Sequence, residues 1–280
     1  MYYYDNLFCN EDSCKEKEEI NSLKGRGNDK MTRTDICDRQ FEELFQNKRT
    51  PDKTDPEFMD ILQKFIFGEI SQIGSLDNKM RELITVVVLT TMQTLPQLKA
   101  HVKASLNVGV SPLEIREAIY NCAPFIGFPK TLNAISTMNE VFVESNISLP
   151  LEEARTTTEE NRFEKGSKIQ SPIYGTEIKD KYQVLPKEIG EAIPRFLTEL
   201  GFGDFYTRKG LSVKTRELLV FCVLTTLGQI GPLKAHVLGN IKVGNSLEVQ
   251  YAALMQCLPY IGFPSVFAAI NMMKEMDINE

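Results

Sequence analysis

The chain repeats itself, and that feature limits what it can fold into more than any other. Lys79, Arg81, Glu82 and Leu83 return as Lys214, Arg216, Glu217 and Leu218, an offset of 135 residues. The same offset, without a gap, carries Leu89-Thr90-Thr91 onto Leu224-Thr225-Thr226 and Leu98-Lys99-Ala100-His101-Val102 onto Leu233-Lys234-Ala235-His236-Val237. Cys122, Pro124 and Ile126-Gly127-Phe128-Pro129 then meet Cys257, Pro259 and Ile261-Gly262-Phe263-Pro264. Backwards, the match runs through Phe67-Gly68 and Phe202-Gly203 before it fades. A fixed offset of this kind means one structural unit built twice. The expected organisation is a polar, partly mobile arm over 1–50, a first repeat over 51–148, a linker over 149–182 and a second repeat over 183–280.

Each unit reads as helical. Arg81 to about Met92 is apolar without Gly or Pro, which predicts a buried helix, with a strand as the competing reading. Pro96 opens a second helix that carries His101 and stops at Gly109. Ser111-Pro112-Leu113-Glu114 fits a capping box, and its counterpart around Asn245-Ser246-Leu247-Glu248 is expected to start one residue earlier. The third helix runs to Cys122, and Gly127-Phe128-Pro129 reopens a fourth through about Glu140. The predicted class is therefore all-α, two tandem helical bundles with short loops.

Composition bounds the function. Apolar content of 42%, charged content of 25% and a net charge of −6 suit a globular chain and give no basic excess for nucleic acid. The apolar runs are short and broken by polar residues, so no membrane span is expected, and the N-terminus lacks a signal-peptide pattern. A cytoplasmic location is the expectation, with the six cysteines free, since no C-x-x-C pair occurs.

Only two histidines occur in the chain, and they sit at equivalent positions, His101 and His236. Each is either a half-buried helix residue bonded to a neighbour or a proton-transfer group, for which imidazole is suited near neutral pH. Glu82 and Glu217 precede them by 19 residues. They are either charges favoured by a helix N-terminus and paired with Arg81 and Arg216, or partly buried acids that orient the imidazoles. Along antiparallel helices the two side chains start out of step by roughly 6 Å, a gap that a long side chain or one water would bridge. Cys122 and Cys257 fit buried small residues better than reactive thiols, because no nearby feature lowers their pKa. The Gly-Phe-Pro motifs punctuate the backbone, and Phe128 and Phe263 are candidates to line a pocket.

In this order and twice over, Arg-Glu-Leu, the histidine 19 residues after the glutamate, Asn107-Val108-Gly109, the capped helix and Ile-Gly-Phe-Pro resemble the carboxymuconolactone decarboxylase family. The resemblance covers Phe58 to about Val143 and Phe196 to about Met276. The alkyl hydroperoxidase D-type branch carries C-x-x-C ending four residues before the histidine. Here those positions hold Thr94 and Gln97, then Gln229 and Pro232, so the decarboxylase branch is the better match. That branch implies loss of carbon dioxide from a small carboxylated lactone or related cyclic acid, without metal or organic cofactor. By the same resemblance His101 and His236 are the acid/base groups, Glu82 and Glu217 tune them, and Arg81 and Arg216 neutralise a substrate carboxylate. Single-unit relatives form hexameric rings, which implies a homotrimer with pseudo-hexameric symmetry here.

Two other readings stand beside it. One is a thiol peroxidase using Cys122 or Cys257; the other is a non-catalytic small-ligand binder on the same fold. The repeats are also not identical, since Glu114 aligns with Val249 and Gln93 with Gly228.

Overall fold

The structure is a computed structural model that describes residues 31–175 and 181–276. Most of the expected arm, including Cys9 and Cys14, lies outside the described residues, as does part of the expected linker. Among the described residues the chain is helical, with no strand.

Two buried helices form the centre. Helix α3 (Asn78–Met92) is buried without interruption from Arg81 to Thr91, and its counterpart in the second repeat, Val213–Thr226, from Arg216 to Thr225. They pack on each other. This explains why their sequences are apolar on every side instead of striped. Asp77 caps the first by accepting from Met80 N–H, and Ser212 caps the second by accepting from Thr215 N–H. At the other end Gln93 (φ 61°) and the equivalent Gly228 (φ 66°) both adopt the left-handed conformation. The Gln-for-Gly exchange is therefore one turn geometry reached by two residue types.

In the first repeat, α4 (Leu95–Asn107), α5 (Pro112–Asn121) and α6 (Phe128–Glu144) pack on α3, while α1 (Arg33–Phe45) and α2 (Pro56–Gln63) pack on a π-helical segment (Lys64–Glu69). The second repeat continues with α7 (Arg162–Tyr174), α8 (Lys187–Phe196) and a π-helical segment (Leu197–Tyr206). Then come α9 (Val213–Thr226), α10 (Ile230–Lys242) and α11 (Leu247–Lys274). Helix α11 is long and apolar enough to cross a membrane by length and composition. It bends at Gly262 (φ 78°), where the first repeat breaks at Gly127 (φ 84°), and packs on α3, α9 and α10.

The Ser111–Glu114 capping box forms, with Glu114 N–H donating to Ser111 Oγ and Ser111 N–H donating to Glu114 Oε2 at 2.8 Å. The expected one-residue shift in the second repeat does not occur. Ser246 occupies the equivalent cap and accepts from Val249 N–H. Since Val249 stands where Glu114 does, the reciprocal carboxylate bond is missing and the register is kept.

Two helices fall where the sequence predicts an arm and a linker. Helix α1 lies within 1–50 and α7 within 149–182, and they are counterparts at an offset of 129, not 135. Each docks on its π-helical segment in the same way. Arg33 pairs with Glu69 at 2.5 Å, and Arg162 with Asp204 at 2.9 Å. Gly68 and Gly203 lie so close to the carbonyls of Arg33 and Arg162 that a Cβ would collide with them. The repeat therefore begins one helix earlier than the sequence match suggests, and the changed offset is what hides it.

Candidate active site

The sequence-predicted pair meets directly in both repeats. His101 Nδ1 lies 2.8 Å from Glu82 Oε2, and His236 Nδ1 lies 3.0 Å from Glu217 Oε2. No bridging water is needed, because α3 and α4 pack closely enough for the two side chains to absorb the axial mismatch. Glu82 is 2% exposed and Glu217 is fully buried. A carboxylate fixed on Nδ1 sets the ring orientation and leaves Nε2 as the nitrogen that exchanges a proton.

At the first site the imidazole forms part of the wall of a cavity of about 310 Å³. Phe41 and Phe45 from α1, Met59 from α2, Phe67 from the π-helical segment and Leu89 from α3 supply much of the apolar lining. Phe45 stands edge-on to His101 with ring centres 5.9 Å apart. Tyr260, from the second repeat, does the same from the other side at 5.7 Å. Its counterpart in the first repeat, Phe125, packs at 5.9 Å against His236. Each histidine is thus flanked by a ring from the other repeat, so neither unit builds its site alone.

The second site differs in chemistry. Tyr174, at the end of α7 where α1 ends in Phe45, places its hydroxyl 2.7 Å from His236 Nδ1 and donates to Glu217 Oε2 at 2.5 Å. Tyr206, where the first repeat has Ser71, donates to Glu217 Oε1 at 2.7 Å. Burial and the neighbouring carboxylate push both phenols well above their ordinary range, so they remain donors. Gly239 makes room: a Cβ there would sit 2.7 Å from the Tyr174 hydroxyl, and the first repeat has Ala104 at that position. Two wall residues of the first cavity, Phe41 and Gln63, are replaced by Gln170 and Thr198, which bond each other at 2.6 Å.

Of Arg81 and Arg216, both expected to neutralise a substrate carboxylate, Arg81 has every guanidinium nitrogen committed elsewhere. Arg81 donates to the carbonyls of Ile70, Ile73 and Leu76 and to Gln256 Oε1, fastening the loop before α3 to the second repeat. Arg216 donates through Nη2 alone to Glu117 Oε2 and to the carbonyls of Arg208 and Lys209, while its Nε and Nη1 are buried without a partner. Glu117 also accepts from Arg208 at 2.8 Å, so the two repeats are joined by a buried ionic cluster. Phe128 and Phe263 do not line the His101 cavity either. They are 55% and 53% exposed, because the left-handed glycine before each turns the ring outward at the start of a helix. Cys122 and Cys257 are buried in the core, and desolvation pushes the Cys122 thiol up, away from thiolate character. Reasoning from the sequence missed Phe45, Tyr260 and Tyr174. The Phe125/Tyr260 pair was available at the 135 offset, whereas Phe45/Tyr174 is visible only once α1 and α7 are recognised as counterparts.

Known proteins similar to this chain are decarboxylases by name. Over 92 residues, 33% of this chain and 69% of the relative, the chain is 29% identical to 4-carboxymuconolactone decarboxylase of Acinetobacter baylyi. It is 27% identical over 95 residues to nitrosuccinic acid decarboxylase of Metarhizium robertsii, covering 32% of this chain and 66% of that one. The chain thus spans about two thirds of the length of these curated relatives. A solved structure from Burkholderia xenovorans LB400, named for a gamma-carboxymuconolactone decarboxylase subunit, overlays at a TM-score of 0.49 and 20% identity, covering 85% of this chain and 95% of that one. The model of the carboxymuconolactone decarboxylase family matches twice, over 56–140 and 191–275. With more than half of its length matched, and matched in two copies, the chain belongs to the carboxymuconolactone decarboxylase family.

Proposed function

We propose that this protein is a carboxy-lyase that removes carbon dioxide from a small organic acid, and that the reaction takes place at His101 and Glu82. The observation that carries this reading is the junction of a buried His–Glu pair with an apolar cavity. Decarboxylation breaks the bond to the carboxyl carbon and leaves its electron pair on the substrate, which then takes a proton. His101, protonated, supplies that proton from Nε2 and recovers one from solvent, while Glu82 holds Nδ1 throughout. An apolar wall disfavours the localised carboxylate more than the delocalised anion that follows it, which lowers the barrier from the substrate side. The two relatives named as decarboxylases support the reaction class.

The test is carbon dioxide release from a panel that includes 4-carboxymuconolactone, nitrosuccinate and less polar acids, with His101→Ala and His236→Ala alongside wild type. Release that depends on His101 supports the reading. Release indifferent to His101, or no release from any acid, removes it.

We also propose self-association, as a homotrimer, through a patch that the duplication makes twice. Phe128 and Leu132 on α6, and Phe263 and Phe267 on α11, are equivalent pairs and all are more than half exposed.

A further inference from the structure

The polar groups in the wall of the His101 cavity differ in whether a ligand can use them. The hydroxyls of Thr94 and Tyr260 are sealed inside the protein. Gln97 is exposed, so bulk water serves its amide. Gln63 differs from all three. It is 8% exposed, yet its side-chain amide forms no hydrogen bond among the described residues and is not sealed. With Met59 it lines both the His101 cavity and a neighbouring cavity of about 380 Å³.

The surroundings explain why this amide stays open. Gln63 is the last residue of α2, and the helix runs on without a break into the π-helical segment, a widened turn that recurs at functional positions. The charged groups one turn away are taken: Asp60 accepts from Lys64 and Arg49, and Arg49 also pairs with Asp38. In the second repeat the equivalent Thr198 donates at 2.6 Å to Gln170, which stands where the first repeat has Phe41. There the protein satisfies its own polar groups. At the first site the Phe41 ring offers Gln63 no such partner.

An amide in a cavity wall discriminates among the ligands that fill the cavity. A ligand that covers Gln63 with carbon leaves the amide unpaired, whereas one that places an oxygen there accepts from its Nε2. The penalty falls on the wrong ligand alone, which is why a site built around a hydrogen bond rejects the analogue lacking that bond far more strongly than an apolar pocket rejects an extra methyl group.

We propose that Gln63 is the specificity-determining residue of the His101 cavity, selecting organic acids that carry a carbonyl oxygen in addition to the carboxyl group that is lost. Its Nε2 donates to that oxygen, while His101 serves the reacting end. The proposal deepens the decarboxylase reading and rests on it for the reacting bond, but the role of Gln63 is tested by binding.

Gln63→Met keeps the length and volume of the side chain and removes the amide. Since that amide holds nothing within the protein, the urea midpoint is expected to stay unchanged. Methyl-ketone acids of increasing chain length, beginning with 4-oxopentanoate, are titrated beside counterparts in which a methyl group replaces the ketone oxygen, beginning with 4-methylpentanoate. Binding is read by proton NMR of the His101 imidazole in the full-length protein, with His236→Ala assigning the two histidine signals. At the chain length that binds best, wild type is expected to favour the ketone at least about tenfold. Gln63→Met is expected to erase that preference, weakening the ketone and tightening its methyl counterpart. Absence of a ketone preference at every length, a preference that survives in Gln63→Met, a large fall in its urea midpoint, or no movement of the His101 signal with any acid would each overturn the proposal. Ketone selection through Gln63 in a protein that releases carbon dioxide from no acid would remove the decarboxylase reading and leave the role of Gln63 standing. Carbon dioxide release that depends on His101, without ketone selection, would do the reverse.

Discussion

The two repeats hold the same His–Glu pair in two different settings. In the first, Glu82 orients His101 at the edge of an apolar cavity. In the second, Glu217 accepts from Tyr174 and Tyr206 and lies 3.0 Å from His236 Nδ1, and that same nitrogen faces the Tyr174 hydroxyl. A carboxylate shared among three groups is a poorer partner for imidazole than one devoted to it, because its charge is already neutralised by hydrogen bonds. The exchanges Phe45/Tyr174, Ser71/Tyr206 and Ala104/Gly239 belong together: two add hydroxyls aimed at Glu217, and the third removes the methyl that would block one of them. The difference teaches that one retained pair can stand in two hydrogen-bonding environments, the second of which also ties the end of α7 to α9 through Tyr174.

The comparison can be broken most directly by removing each histidine. His101→Ala is expected to lower turnover by about 10²-fold or more, the usual worth of a general acid, whereas His236→Ala leaves it within a few-fold. Equal losses in carbon dioxide release would mean two working sites.

A transplant sharpens it. Phe45→Tyr combined with Ala104→Gly gives the first site the second site's hydroxyl and the space for it. Turnover should fall by roughly tenfold as Glu82 is diverted from His101. Phe45→Tyr alone meets the Ala104 methyl and should cost stability as well, read by urea denaturation.

In the second site, Tyr174→Phe removes a donor to Glu217 and should destabilise the fold by about 1–3 kcal/mol, with turnover unchanged. Gly239→Ala should destabilise in the same direction, since its Cβ would lie 2.7 Å from the Tyr174 hydroxyl and 3.1 Å from Glu217 Oε2.

High pH probes the same hydrogen bonds. Unfolded phenols ionise near pH 10, while Tyr174 and Tyr206 are pushed up in the fold and keep their protons. The native state then binds more protons than the unfolded one, so stability falls as pH rises past about 10, by up to about 1.4 kcal/mol per pH unit for each such phenol. Urea midpoints across that range should fall less steeply in Tyr206→Phe than in wild type.

Much of this was legible without coordinates. The offset of 135 identified the duplication, the apolar density around Glu82 indicated a buried helix, and the retention of both histidines singled out the pair that the structure brings into contact. The structure departs from the reading at Arg81 and at the Gly-Phe-Pro phenylalanines, because identity between repeats records a shared structural need as readily as a shared chemical one. Arg81 ties down a loop, and Phe128 faces outward.

The sequence alone thus determined what local pattern and repetition can carry: helices, caps, the two-unit plan and the His–Glu spacing, all of which depend on residues near one another or at one constant offset. Only the tertiary structure decided that α1 and α7 belong to the repeats, that Tyr260 and Phe125 cross between them, and that one site opens on a cavity while the other is bonded to Tyr174. Those contacts join residues far apart in the chain. Which of them form is set by how closely the helices pack and by the space that single side chains such as Ala104 and Gly239 occupy or leave.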